Sequence, residues 1–159
     1  MANINEQLRQ ILTPKLLLAV YNLKYPYGKS QLPSGAEVGR AHFRPTYGQQ
    51  LYDLAYHGTL VPMSKLPLES VLKVDLTKFL PDPNATDYPE QSLGLITLLD
   101  QTRILTAGYN FRYTRAFFDS ICEKLARQLV ALPSNVRPDG KQAWLSRGYS
   151  VNDWLVRTL

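Results

Sequence analysis

A chain of 159 residues, 45% of them hydrophobic, can bury one sizeable core and is too apolar to be disordered throughout. Its net charge of +5 lies wholly in residues 103–159, which hold nine Lys/Arg against four Asp/Glu; residues 1–102 balance nine against nine. These basic residues are scattered without a run of four, which reads as a solvated helix face and excludes a nucleic-acid footprint, and no apolar run reaches the roughly 18–20 residues of a membrane span.

The segment MANINEQLRQILTPK lacks the basic head, long apolar stretch and small-residue cleavage site of a secretory signal. A single cysteine, Cys122, cannot make an intrachain disulfide, and with only His42 and His57 beside it the composition argues against structural zinc. The expectation is a cytoplasmic protein without metal or cofactor, and with no nucleic-acid or membrane partner.

In chain order, TPKLLLAVYNL opens a helix with Thr13 as N-cap and Pro14 at the first helical position; Leu16, Leu17, Val20 and Leu23 follow at the spacing of one stripe. KYPYGKSQLPSG, residues 24–35, reads as loop. A second helix starts at Pro45, with Tyr47, Leu51, Leu54 and Ala55 on one face and Gly58 as its C-terminal cap. A third runs from Pro67 to Pro81 with Leu68, Val71, Leu72, Leu76 and Phe79 as its stripe.

After the polar connection PDPNATDYPEQ, a fourth helix starts near Pro89 and ends near Leu105. The fifth, FRYTRAFFDSICEKLARQLVAL, carries Phe117, Ile121, Leu125, Leu129 and Leu132 at intervals of three or four. PSNVRPDGKQ is loop, and Ser150 with Asp153 forms a capping box for a last helix, WLVRTL, which exposes Trp154, Leu155, Val156 and Leu159 and must pack on the body or on another chain. The fold class is all-α, a single domain over residues 1–159, with helix–loop–helix units of varying length and no fixed-period repeat.

In the fourth helix an apolar run meets Asp100, Gln101 and Arg103. The stretch YPEQSLGLITLLDQTRIL resembles a bacterial and fungal family of unknown function, whose hallmark is an apolar helix ending in Leu-Leu-Asp-Gln with an arginine close behind. The likeness covers residues 88–132 most strongly, and DWLVRTL is similar to the start of a later family helix. It implies an antiparallel helix array of tetratricopeptide-like hairpins. Only Asp100, Gln101 and Arg103 match the hallmark. Thr102 alone separates Gln101 from Arg103, where the family has an aromatic residue and a proline. The family's His-Ser-Glu-like segment would lie beyond Leu159, so the chain is expected to lack C-terminal helices of that fold.

Three residues apart on a helix, Asp100 and Arg103 share a face, with Thr97 a turn earlier and Gln101 about 100 degrees round. One reading is a buried hydrogen-bonded network locking helices, since a lone enclosed carboxylate is costly. The other is a pocket lining. There Arg103 and Arg112, with Gln101, would hold a small anionic molecule, Asp100 would act as acid or base, and Tyr109 or Tyr113 would donate a proton. Arg115 reads as solvated.

His57 reads as a cation complementing the end of its helix. His42 lies between Arg40 and Arg44, which would lower its pKa. Cys122 reads as a small buried hydrophobe. Two functions follow: a helical scaffold that forms a homo-oligomer or packs on a second protein chain, or a small cofactor-independent isomerase, dehydratase or cyclase acting on an anionic or carbonyl-containing substrate.

Overall fold

Capping chemistry sets the first two helices. The computed structural model describes residues 3–26, 47–105 and 120–158, with residues 103–105 described by their backbone alone; among the described residues the regular structure is helical, with no strand. Helix α1 (Ile4–Ile11) begins with a capping box: Asn3 Oδ1 accepts from Glu6 N at 3.0 Å, and Glu6 Oε2 accepts from Asn3 N at 3.2 Å. Helix α2 (Pro14–Lys24) starts as its sequence dictates, with Thr13 Oγ1 accepting from Leu16 N at 3.2 Å and Pro14 in the first turn.

The second expected helix does not stop at Gly58. Helix α3 (Tyr47–Tyr52) passes into a π-helical segment, Asp53–Leu60, and then into α4 (Val61–Ser64). Gly58 is not in the left-handed conformation a C-terminal cap would need. Leu16 Cδ1 of α2 lies 3.5 Å from where a Cβ would stand, an ordinary contact distance, so α2 packs here without requiring a glycine. The wider turn lies just ahead of Pro62, which has no N–H for an ordinary helical bond, and Thr59 Oγ1 donates to Leu54 O at 3.0 Å within it.

The third helix is likewise two pieces, α5 (Leu68–Leu72) and a 3₁₀ turn, Leu76–Phe79. Asp75 makes the break. Its Oδ1 accepts from Thr77 N at 3.0 Å and Thr77 Oγ1 at 2.7 Å, a local turn that outcompetes continued helix. These bonds, chiefly the one from the Thr77 hydroxyl, hold the Asp75 carboxyl below the usual range.

Helix α6 (Tyr88–Leu105) has the bounds its sequence suggests. Most of its residues from Tyr88 to Leu99 are buried, so it carries no polar face along that length and is the axis on which other elements pack. Its closest neighbour is α2. A Cβ on Gly94 would fall 2.1 Å from Leu17 O, so the glycine is what lets the two backbones meet.

Helix α7 (Ser120–Val130) buries Ile121 and Leu125. The expected residues 111–119 of that helix, with Phe117, lie outside the described residues, as do 27–35 of the expected loop. Helix α8 (Lys141–Leu145) occupies part of what reads as loop, and Gly148, at φ 88, turns the chain into α9 (Val151–Thr158). The Ser150–Asp153 capping box is present, with Ser150 N donating to Asp153 Oδ2 at 3.0 Å and Asp153 N to Ser150 Oγ at 3.1 Å. The last helix is not left exposed. It packs on α8, and Trp154, Leu155 and Val156 are half-buried, the Trp154 indole donating to Asp139 O at 2.8 Å. Leu159 lies outside the described residues. Among the described residues no helix is long and apolar enough to cross a membrane.

Candidate functional site

The C-terminal half of α6 meets α7 along an apolar groove of about 260 Å³, walled by Ile96 and Leu99 on one side and Cys122, Leu125, Ala126 and Leu129 on the other. Asp100 stands on its wall. Burial along α6 loosens here: Leu98 and Leu99 are enclosed, whereas Asp100 and Gln101 are half-buried. Gln101 Nε2 donates to Asp100 Oδ2 at 3.0 Å, so the amide orients the carboxylate. Thr97 and Thr102 are buried, and Thr102 Oγ1 bonds back to Leu98 O at 2.5 Å within the helix.

Lys24, at the end of α2, feels Asp100. Burial lowers the Lys24 pKa and the Asp100 charge opposes that shift. Of the residues read as one site, the structure thus brings Asp100 and Gln101 together and adds Lys24. The Arg103 side chain, Tyr109, Arg112 and Tyr113 lie outside the described residues, as do His42 and Arg115. Cys122, read as a small buried hydrophobe, packs against the core but is half-buried, on the groove wall. His57 also differs. It is exposed in the middle of a continuous helix, edge-on to Tyr56 at 4.9 Å and Tyr52 at 6.0 Å, with no helix end to complement.

A second polar cluster has no counterpart in the residues singled out from sequence. Glu90 of α6 accepts from the Tyr149 hydroxyl at 2.7 Å, and Tyr149 Oη lies 3.4 Å from Tyr21 Oη. Tyr21 Oη accepts from Arg157 Nε at 2.8 Å, and Arg157 Nη1 lies 3.4 Å from Asp153 Oδ1. The guanidinium, 2% exposed, sits 4.9 Å from the Tyr149 ring centroid and 5.7 Å from that of Tyr25. Burial first, then the bonds to Tyr21 and Glu90, pushes the Tyr149 hydroxyl above the ordinary phenol range. Glu90 Oε2 and Arg157 Nη2 are buried without a hydrogen-bond partner.

The only sequence signals for this cluster are two i,i+4 pairs, Tyr21 with Tyr25 and Asp153 with Arg157. Enclosed on all sides, it ties α9 to α2 and α6 and offers no reacting group to solvent. Of these two, the groove beside Asp100 is the accessible one. It can hold an apolar side chain and meet a cation or hydrogen-bond donor at its rim. Comparison with protein-family models, curated proteins and solved structures finds no match to the chain.

Proposed function

We propose that the chain is a helical interaction scaffold that pairs with a second copy of itself through the α6–α7 groove. The observation that carries this reading is the continuity of exposed apolar surface there. Val130, 64% exposed, lies one helical turn beyond Ala126, so the groove's apolar lining extends onto open surface. Asp100, which already interacts with Gln101 and with the Lys24 charge, stands at the rim of that apolar surface. Arg127 on α7 is exposed and bonded to Glu123 at 2.6 Å, so the helix beside the groove carries both signs of charge, which supports a self-complementary pairing. The tetratricopeptide-like arrangement and a cytoplasmic setting belong to the same proposal; the packing of successive helices α8 and α9 supports helix pairing of that kind.

Sedimentation velocity from micromolar to millimolar chain tests it. The parent should sediment as a dimer, and Ala126→Glu or Val130→Glu should sediment as a monomer with an unchanged helical spectrum. A parent that stays monomeric throughout sinks self-pairing, and a dimer indifferent to both charges sinks the groove.

One observation favours a second reading, catalysis on a carbonyl-containing substrate. Burial holds Lys24 nearer to neutrality against the opposing Asp100 charge, and a neutral amine can add to a carbonyl and lose water to form an imine while the carboxylate moves the proton. Borohydride trapping with a small α-keto acid should then place a mass adduct on Lys24. Absence of the adduct at saturating keto acid ends that reading.

A further inference from the structure

Away from the groove, an open cleft of about 610 Å³ lies between the turn preceding α6 and helix α8. Its lining is polar and nearly uncharged. Asn84 and Thr86 stand on the turn, Asn135 on the chain between α7 and α8, and Gln142 and Ser146 on the α8 side. Among the described residues the one charged lining residue is Arg147, and its guanidinium is turned to the protein's own oxygens. Nε donates to Ala85 O at 3.1 Å, Nη2 to Pro83 O at 2.6 Å and Ala85 O at 2.9 Å, and Nη1 to Ala143 O at 2.8 Å. Arg147 therefore builds the cleft by fastening the turn to α8, and it is not offered to a ligand.

Other bonds hold the walls. Asp82 Oδ1 accepts from Asn84 N at 2.8 Å, the Tyr88 hydroxyl donates to Val136 O, and the Trp144 indole donates to Pro138 O at 2.9 Å. Against this fixed frame the side-chain amides of Asn84, Asn135 and Gln142 make no hydrogen bond among the described residues. Each amide presents an acceptor and a two-proton donor in one plane. Three of them facing one cleft, without a carboxylate and with the only cation committed, match a neutral ligand that alternates donors and acceptors.

We propose that this cleft binds an uncharged, extended peptide segment through its main-chain N–H and C=O groups. The planar side-chain amide and the planar peptide group are complementary donor–acceptor pairs, and an extended chain displays such groups outward at regular intervals. A saccharide offers the same groups but adds apolar ring faces that require an aromatic platform, and no lining residue is aromatic. Trp144 is fully buried, and the Tyr88 ring is covered by the Arg147 guanidinium at 5.6 Å. The proposal is independent of the α6–α7 groove and of self-pairing.

The test is a nuclear magnetic resonance titration of the full chain with a pool of acetylated, amidated octapeptides of alanine, serine, threonine, glutamine and valine. The side-chain NH₂ signals of Asn84, Asn135 and Gln142 should shift. Methylating the peptide nitrogens should abolish the shifts, and the double variant Asn135→Ala, Gln142→Ala should bind about tenfold more weakly or worse. Both positions are exposed, so the variant's spectrum should otherwise overlay the parent's. No shift at millimolar peptide, shifts indifferent to N-methylation, or shifts produced only by a maltodextrin would each overturn it. A change at Ala126 or Val130 leaves this result untouched.

Discussion

Replacing Gly94 with alanine adds one methyl group to the most closely packed pair of helices. An added Cβ would stand 2.1 Å from Leu17 O, 2.8 Å from Leu17 C and 3.3 Å from Leu17 Cα. Comfortable carbon contacts begin near 3.5 Å. The obstacle is α2 backbone, which has no rotamer to change, so α2 and α6 must part by about 1 Å. Such overpacking costs about 1–3 kcal/mol, and the high end applies because every residue between Leu95 and Leu99 except Ile96 is buried and would lose contact. Alanine's better helix propensity returns up to about 1 kcal/mol. The net expectation is a loss of about 2 kcal/mol, a fall in Tm of about 4–8 °C for a chain this long. Gly48→Ala is the control: that glycine is exposed in α3 with nothing within 4 Å of an added Cβ, so the same change should stabilise by up to about 1 kcal/mol. Urea unfolding with a common m-value reads both. Stabilisation of the two variants alike would show that α2 does not approach α6 at Gly94.

Arg157→Met should cost about 3–5 kcal/mol, because Asp153 is then left buried without its cation; a loss under about 1 kcal/mol in urea would mean the guanidinium is not enclosed. Tyr149 holds its proton longer in the folded chain than in the unfolded one, since burial and the bonds to Tyr21 and Glu90 raise its pKa. The folded state thus binds more protons above the unfolded phenol value of about 10, and stability falls as pH rises beyond it. Tyr149→Phe should flatten that alkaline fall in denaturation profiles, and an unchanged slope would contradict the assignment.

Local signals were legible where one residue type has one physical use. Thr13 before Pro14, the Ser150–Asp153 box and the span of α6 all read correctly, because capping and a long apolar run need only neighbours in sequence. The capping box of α1, Asn3 with Glu6, is a signal of the same local kind. Gly58 and Asp75 misled in opposite ways. A glycine beside an apparent helix end suggests a cap, yet the helix runs on through Gly58, and a Cβ there would meet Leu16 only at ordinary contact distance. At Asp75 the apolar stripe suggests continuation, yet a three-residue turn to Thr77 wins because it satisfies the carboxylate locally. The cluster around Arg157 was hardly legible for a different reason: beyond the local Asp153–Arg157 pair, the bonds that assemble it join residues more than 50 positions apart, which no local pattern encodes.

The two carboxylates of α6 exchange the roles that their sequence settings suggest. Asp100, set in LITLLDQTRIL, has the surroundings of an enclosed group, while Glu90, in DYPEQS, has those of a solvated helix start. In the fold Glu90 is 7% exposed and bonded to Tyr149, and Asp100 is half-buried on a groove wall. The reversal follows from what covers each end of the helix. Near Glu90, α9 and the Tyr149 segment close over α6, bringing an arginine and phenols that make burial of a carboxylate tolerable. Near Asp100 the neighbour is α7, whose facing side chains are aliphatic apart from Cys122. An aliphatic wall offers no hydrogen bond, and the acid's bond comes instead from Gln101 on its own helix, with the Lys24 charge nearby. The acid stays at the rim, and the groove stays open beside it.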